Sequence, residues 1–157
     1  RVCVARGVVS QLAGLASTLA AMPLIIAQTV FSGVFERFPR LRMVGAEAGG
    51  GWVPYLLGEM DDRYRRNRYW TGVNLKRLPS DYFHSNWLLG FVRDPYGIQN
   101  RHAVGMGNMM WASDFPHHIN DWPHSRYLIN QMSLGVPEAE KRQIFCENAG
   151  RLYGFLD

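Results

Sequence analysis

Three short apolar runs constrain the fold of this sequence most, because each of them stops at a charged residue and a chain breaker. The runs lie in "LRMVGAE", "NWLLGFV" and "MMWASD", at residues 41–47, 86–92 and 109–114, and glycines or a proline follow each one. Apolar runs of this length between breakers predict buried strands. A fourth short run, Arg1–Ala5, predicts another strand where the sequence begins.

Helical patterns separate these strands. Apolar residues recur at three- and four-residue spacing before Pro39, namely Leu19, Met22, Ile26, Val30, Val34 and Phe38. The next helix is expected to bury one face, made of Trp52, Tyr55, Leu56, Met60 and Tyr64. A helical turn is expected in "SDYFHS", and a last helix in "VPEAEKRQIFCENAGRLYGF", with Ile144 and Phe145 inward and Gly154 past its end. The alternation of strands and helices predicts a parallel sheet built from βαβ units.

One uncharged window needs a separate decision. Val8–Phe35 is long enough to span a bilayer if length alone decided the matter. Pro23 lies at its middle, and polar residues such as Gln11 and Gln28 interrupt it. These features favour a buried helix over a membrane span.

Composition and charge narrow the class of protein further. A chain of 157 residues with 47% hydrophobic residues can bury one core, so one domain is expected. Cys3 and Cys146 lie far apart without a Cys-x-x-Cys pattern, which argues against a disulfide framework and favours a cytoplasmic location. Much of the net charge of +4 lies in "RYRRNRYW", residues 63–70, where a solvated helix end is a commoner cause than a nucleic-acid surface. Neither a nucleic-acid nor a membrane partner is expected.

Two strands end in acidic residues that could take part in catalysis or metal binding. Glu47 ends the run at residues 41–47 and Asp114 ends the run at residues 109–114, and the carboxyl ends of parallel strands meet at one edge of a sheet. Strand alternation places Glu47 on one face with Met43 and Gly45, and Asp114 on one face with Met110 and Ala112. If these faces line a barrel interior, the two carboxylates converge at one mouth. A carboxylate there needs a cation or a proton, and the nearby His117 and His118 favour a metal site.

Other interpretations of the same residues stay open. Asp114 could cap the turn that follows it, because aspartate often does so before a proline-containing loop. Glu47 could be a solvated loop residue. The three glycines at 49–51 precede a helix and could bind phosphate, although the full Gly-x-Gly-x-x-Gly pattern is absent.

The order of four motifs resembles a known family. The motifs are "FSGVFERFPRLRMVGAEAGGGWVPYLLGEMDDRY", "LPSDYFHSNW", "WASDFPHHINDWPHS" and "ENAGRLYGF", which follow one another from about Leu19 to the end of the chain. In this order they resemble the amidohydrolase-related family of metal-dependent hydrolases and decarboxylases, among them the relatives of aminocarboxymuconate-semialdehyde decarboxylase. The resemblance implies a (β/α)8 barrel, of which residues 1–157 would be the carboxyl-terminal half of a single domain, with strands five to eight.

The resemblance also implies a site. In the family a divalent metal, usually zinc, is held by a His-x-His pair on the first strand, a histidine on the fifth strand and an aspartate that ends the eighth. Asp114 in "WASDFPH" matches that aspartate, and the position of the fifth-strand histidine falls at Ala5. Glu47 stands where the decarboxylase branch has a histidine, and is expected to supply or take a proton. His117 matches the histidine of the last-strand motif and is expected to face the substrate.

The implied function is hydrolysis or decarboxylation of a small organic substrate, aromatic or carboxylated, by a homo-oligomer. The alternative is a catalytically inactive barrel fragment or interaction module, because most of the family's metal ligands have no match in these residues. Residues 1–157 alone would leave inward side chains such as Met43, Met110 and Ala112 without an opposite wall. Such a fragment is expected to dimerise or aggregate.

Overall fold

A three-stranded parallel sheet organises the chain. The computed structural model describes residues 13, 14 and 16–156. Its strands are β1 (Met43–Gly45), β2 (Trp87–Phe91) and β3 (Met109–Trp111), in the spatial order β1-β2-β3. Gly45 lies opposite Leu89, and Leu89 lies opposite Met109 in the next pair. The three internal strands that the apolar runs predict are therefore present and parallel, whereas the expected strand at Arg1–Ala5 lies outside the described residues.

Helices connect the strands and flank the sheet. A 3-10 turn, Thr18–Ala21, leads into α1 (Met22–Phe31) and α2 (Val34–Arg37) before β1, and α3 (Val53–Thr71) and α4 (Pro79–Asn86) join β1 to β2. After β2 come α5 (Pro95–Gln99), α6 (Arg101–Val104) and a 3-10 turn at Met106–Asn108, and β3 is followed by α7 (Ser125–Met132). The last helical segment comprises α8 (Glu138–Arg142), a π-helical turn at Gln143–Glu147 and α9 (Asn148–Leu152).

The core lies between the sheet and these helices. Trp87, Leu89 and Phe91 alternate along β2, and all three are buried in one cluster with side chains from the helices. Met109 belongs to the same cluster, together with Ile26 of α1. The odd-numbered strand residues therefore face the helices, and the even-numbered residues face the other side of the sheet.

The first predicted helix is interrupted. Gly33 takes a left-handed φ of 69°, which ends α1 and starts α2. Pro23 lies in the first turn of α1 rather than within a longer helix, where its missing N–H is tolerated. Phe38, expected on the apolar stripe, is 58% exposed because α2 ends before it. Among the described residues no helix is long and apolar enough to cross a membrane.

The second predicted helix is present but rotated relative to its expected buried face. Met60 and Tyr64 of α3 are buried as predicted, whereas Tyr55 is 77% exposed and Leu57 is buried instead. Pro54 lies in the first turn of α3, where its missing N–H is tolerated. Further along the chain, the predicted turn in "SDYFHS" is α4, and the last helix ends before Gly154, whose φ is 74°.

Candidate metal centre

Asp114 lies two residues beyond the last extension of the sheet. β3 ends at Trp111, and the Ala112 N–H donates to the Phe91 carbonyl oxygen at 3.0 Å. The chain then turns sharply, because Asp114 has a φ of 57° and its carbonyl oxygen accepts the His117 N–H at 2.8 Å. This turn brings the two side chains together, with 2.7 Å between Oδ2 of Asp114 and Nδ1 of His117. The described hydrogen bonds thus give the Asp114 carboxylate an imidazole partner, which favours the ligand interpretation over the cap.

Glu47 reaches the same place by another route. β1 ends at Gly45, and Glu47 has a φ of 54°, so the chain turns before a fourth and fifth strand residue can form. Alternation along β1 does not place it, because a Cβ on Gly45 would meet Leu89 and Met22 on the helix side of the sheet. The expected shared face of Met43, Gly45 and Glu47 as a barrel interior is therefore wrong. The left-handed turn carries the Glu47 side chain to the site.

For β3, unlike β1, the residues expected on the barrel-interior face do lie on the side of the sheet away from the helices. Asp114 follows Met110 and Ala112 in alternation, and these are the residues that do not face the helix layer. Met110 nevertheless is only 4% exposed, so it does not contribute to an open apolar face. Val44 of β1, at 41% exposure, does contribute to that face.

The glycine loop after Glu47 is fastened to the end of β2. The Gly50 N–H and the Gly51 N–H both donate to Oδ2 of Asp94, the latter at 3.0 Å, and the Gly97 N–H donates to Oδ1 at 2.8 Å. The Gly49 N–H donates to the Gly90 carbonyl oxygen at 3.0 Å. All three amides of residues 49–51 are therefore used within the protein, and the phosphate interpretation of these glycines is wrong.

Three groups converge at this edge of the sheet. Glu47, Asp114 and His117 each offer one ligand atom, and these atoms lie within 4.8 Å of one another. Glu47 and His117 are exposed and Asp114 is half-buried, so a small molecule can approach from solvent. The structure thus brings together all three residues that the sequence analysis selected.

The donor set of the three residues fits a divalent cation. Carboxylate oxygens and an imidazole nitrogen bind zinc and manganese, and a catalytic metal with three protein ligands keeps a position open for substrate or water. The carboxylate of Asp114 also orients the His117 ring by binding Nδ1, an arrangement common at metal sites. His118 packs edge-on against His117 with 4.3 Å between ring centroids but is not one of the three converging groups.

A cavity of about 630 Å3 borders two of the three groups, Glu47 and His117. Its walls include Glu47, His117, Phe91, Val92, Arg93 and Ile119, which combine charged groups with apolar side chains. Arg93 and Asp94 directly follow the apolar run at residues 86–92, but the sequence analysis gave neither a role. The signal that could have found them is their position, directly after β2 at the edge that Glu47 and Asp114 share.

Comparisons with known proteins identify a family and similar folds. A family model described as Amidohydrolase matches residues 2–155. A solved structure of 5-carboxyvanillate decarboxylase from Sphingomonas paucimobilis is 27% identical, with a TM-score of 0.67 over 82% of this chain and 38% of that one. An amidohydrolase from Mycobacterium avium subsp. paratuberculosis is 22% identical, with a TM-score of 0.72 over 90% of this chain and 35% of that one.

A third structure carries a metal. Dihydroxybenzoic acid decarboxylase from a Polaromonas species, with bound manganese and the inhibitor 2-nitroresorcinol, is 21% identical, with a TM-score of 0.67 over 85% of this chain and 40% of that one. The chain therefore spans well under half the length of these structures. The fold class predicted from the sequence is confirmed: the parallel strands and their helices are part of a (β/α)8 barrel.

Proposed function

The chain belongs to the amidohydrolase family, and on that premise we propose that it supplies part of the active site of a metal-dependent hydrolase or carboxy-lyase that acts on a small organic substrate. The observation that carries this proposal is the convergence of Glu47, Asp114 and His117 within 4.8 Å. We further propose that residues 1–157 are the carboxyl-terminal half of one barrel domain. The remaining ligands would come from other strands of that barrel.

Each residue has a distinct role in this proposal. Asp114 holds the metal, and in a hydrolysis it accepts a proton from the attacking water. Glu47 gives or takes a proton at the reacting group, and its exposed side chain lines the cavity in which the substrate would lie. His117, oriented by Asp114, faces the substrate. The metal, zinc as is usual in the family, would supply Lewis-acid stabilisation of the charge that develops in the reaction.

A metal measurement on variants of the full-length protein tests the ligand assignment. We expect Asp114→Asn to lower metal affinity by about 10-fold to 100-fold or more, because neutral asparagine is a poorer ligand. Plasma mass spectrometry of the purified protein gives the content and identity of the metal. Asp62→Asn is the matched control, because Asp62 lies on α3 and pairs with Arg66 at the surface. Wild-type metal content and affinity in Asp114→Asn would refute the assignment.

The choice between the two reaction types needs substrates. If the protein is a carboxy-lyase, 5-carboxyvanillate or a dihydroxybenzoate should release carbon dioxide, and Glu47→Gln should abolish this release. If it is a hydrolase, these acids are inert and an ester or lactone is consumed instead. Activity of Glu47→Gln equal to wild type on either class of substrate would exclude the proton-transfer role.

A further inference from the structure

Arg93 stands at the edge of the candidate site without a role in holding the metal. It follows β2 directly, and its side chain lines the same cavity as Glu47 and His117. The Arg93 side chain is 62% exposed, whereas the side chain of its ion-pair partner, Asp121, is 1% exposed. The exposed Arg93 guanidinium is therefore held at the cavity by the buried Asp121 carboxylate, which we call its anchor.

The anchor fixes the orientation of the guanidinium. Nε of Arg93 donates a short hydrogen bond to Oδ1 of Asp121. Within the part of the chain that the structure describes, neither Nη group of Arg93 has a protein partner. Because the guanidinium is planar, holding Nε leaves the two Nη groups directed away from Asp121 as a pair of donors.

Burial of the Asp121 carboxylate would be unfavourable if Arg93 moved away from it. A carboxylate removed from water requires a close positive charge, and Oδ2 of Asp121 has no hydrogen-bond partner at all among the described residues. Among the described residues, Arg93 is therefore the only partner of the Asp121 carboxylate. A free surface arginine would instead sample many rotamers, with a loss of entropy on binding any ligand.

We propose that Arg93 binds a carboxylate of the substrate through its free Nη groups, and that Asp121 acts as a positioning residue for it. The carboxylate is the anion that a guanidinium recognises with two parallel hydrogen bonds. Val92 and Ile119 line the same cavity and would contact an apolar body. The substrate class is thus an organic acid with an apolar skeleton. This inference rests on the proposed function only in placing the substrate in that cavity.

The test compares benzoate with benzamide in the full-length protein, with metal removed by a chelator. The two probes share shape, and only benzoate carries a carboxylate, so their affinity ratio from calorimetric or NMR titration isolates recognition of the charge. We expect wild type to prefer benzoate, and Arg93→Gln to lower that preference by about 10-fold to 100-fold. Arg93→Lys keeps the charge but lacks the paired N–H donors of the guanidinium, so its preference for benzoate should lie between those of wild type and Arg93→Gln.

Two controls separate recognition from structure. Arg65→Gln removes an exposed cation on α3 and should leave the preference unchanged. Asp121→Asn should reduce the preference by releasing Arg93, and Arg93→Lys, which keeps a cation beside the buried Asp121 carboxylate, remains informative if Asp121→Asn or Arg93→Gln does not fold. An equal preference in wild type and Arg93→Gln, or no preference in wild type, would overturn the inference.

The same titrations distinguish this inference from the proposed function. Metal content is measured on the same preparations before the chelator is added and should be the same in wild type and Arg93→Gln, because Arg93 is not one of the three converging residues. If wild type binds no metal but keeps an Arg93-dependent preference for benzoate, the metal proposal fails and the carboxylate site stands. Recognition of the probe by Arg93 does not require turnover.

Discussion

Asp94 is the residue whose loss should damage both the fold and the candidate site. Its carboxylate is buried and accepts three backbone N–H groups, from Gly50 and Gly51 at Oδ2 and from Gly97 at Oδ1. In Asp94→Asn one of these oxygens becomes an NH2 group, which faces one or two N–H donors. Hydrogen bonds to a charged acceptor contribute roughly 1.5–3 kcal/mol each, so the expected loss of stability is about 3 kcal/mol.

Denaturant unfolding of the full-length protein measures this loss. Asp62→Asn is the control at the protein surface, where the pair with Arg66 should contribute less than about 1 kcal/mol. Metal affinity provides the second readout, because the Gly50 and Gly51 bonds hold the loop that follows Glu47. Stability and metal affinity of Asp94→Asn indistinguishable from those of Asp62→Asn would show that Asp94 does not fasten this loop.

Two other predictions concern the packing around the sheet. The Tyr82 hydroxyl donates to Glu36 and is the main cause of the lowered pKa of that carboxyl, followed by the Lys76 backbone N–H. Because the folded pKa of Glu36 lies below that of an unfolded glutamate, this contribution to stability is present at neutral pH and is lost as pH falls through the folded pKa. The difference in melting temperature between wild type and Tyr82→Phe should therefore decrease from about pH 6 to about pH 3. A difference that stays constant with pH would contradict this prediction. Leu89→Ala should cost about 2–5 kcal/mol in denaturant unfolding, because Leu89 is 1% exposed, whereas the same change at Leu24, 59% exposed, should cost far less; equal losses would place Leu89 outside the core.

The apolar runs locate the strands but overestimate their length. The run at residues 109–114 starts β3 correctly at Met109, but the strand stops at Trp111. β1 is shorter than its run at both ends, because it spans Met43–Gly45 within residues 41–47. The hydrophobic pattern shows which residues are apolar, but it does not show where the backbone leaves the extended conformation and turns. The position of that turn also depends on contacts made by the residues after the strand.

The sequence likewise predicts the residues of the candidate site but not the contacts that hold them in place. Glu47, Asp114 and His117 were selected from their types and their positions after strands, and the structure places them within 4.8 Å of one another. Their roles in metal binding and proton transfer remain predictions. Sequence spacing could not have shown that Asp94 binds the glycine loop, because 43 residues separate Asp94 from Gly51. The link between Arg93 and Asp121 crosses 28 residues for the same reason.

The backbone itself distinguishes the two carboxylates of the site from the rest of the described chain. Among the described residues, Glu47 and Asp114 are the non-glycine positions with a positive φ, at 54° and 57°. A left-handed conformation costs a residue with a Cβ roughly 1–2 kcal/mol, and glycine would adopt it without that cost. At both positions the chain instead carries a carboxylate that reaches the same cluster. Strain that coincides twice with a converging ligand is the pattern of a functional site rather than of a loop optimised for stability. The turn at Glu47 brings its side chain to the cluster, whereas alternation along β1 would have sent it toward the helices.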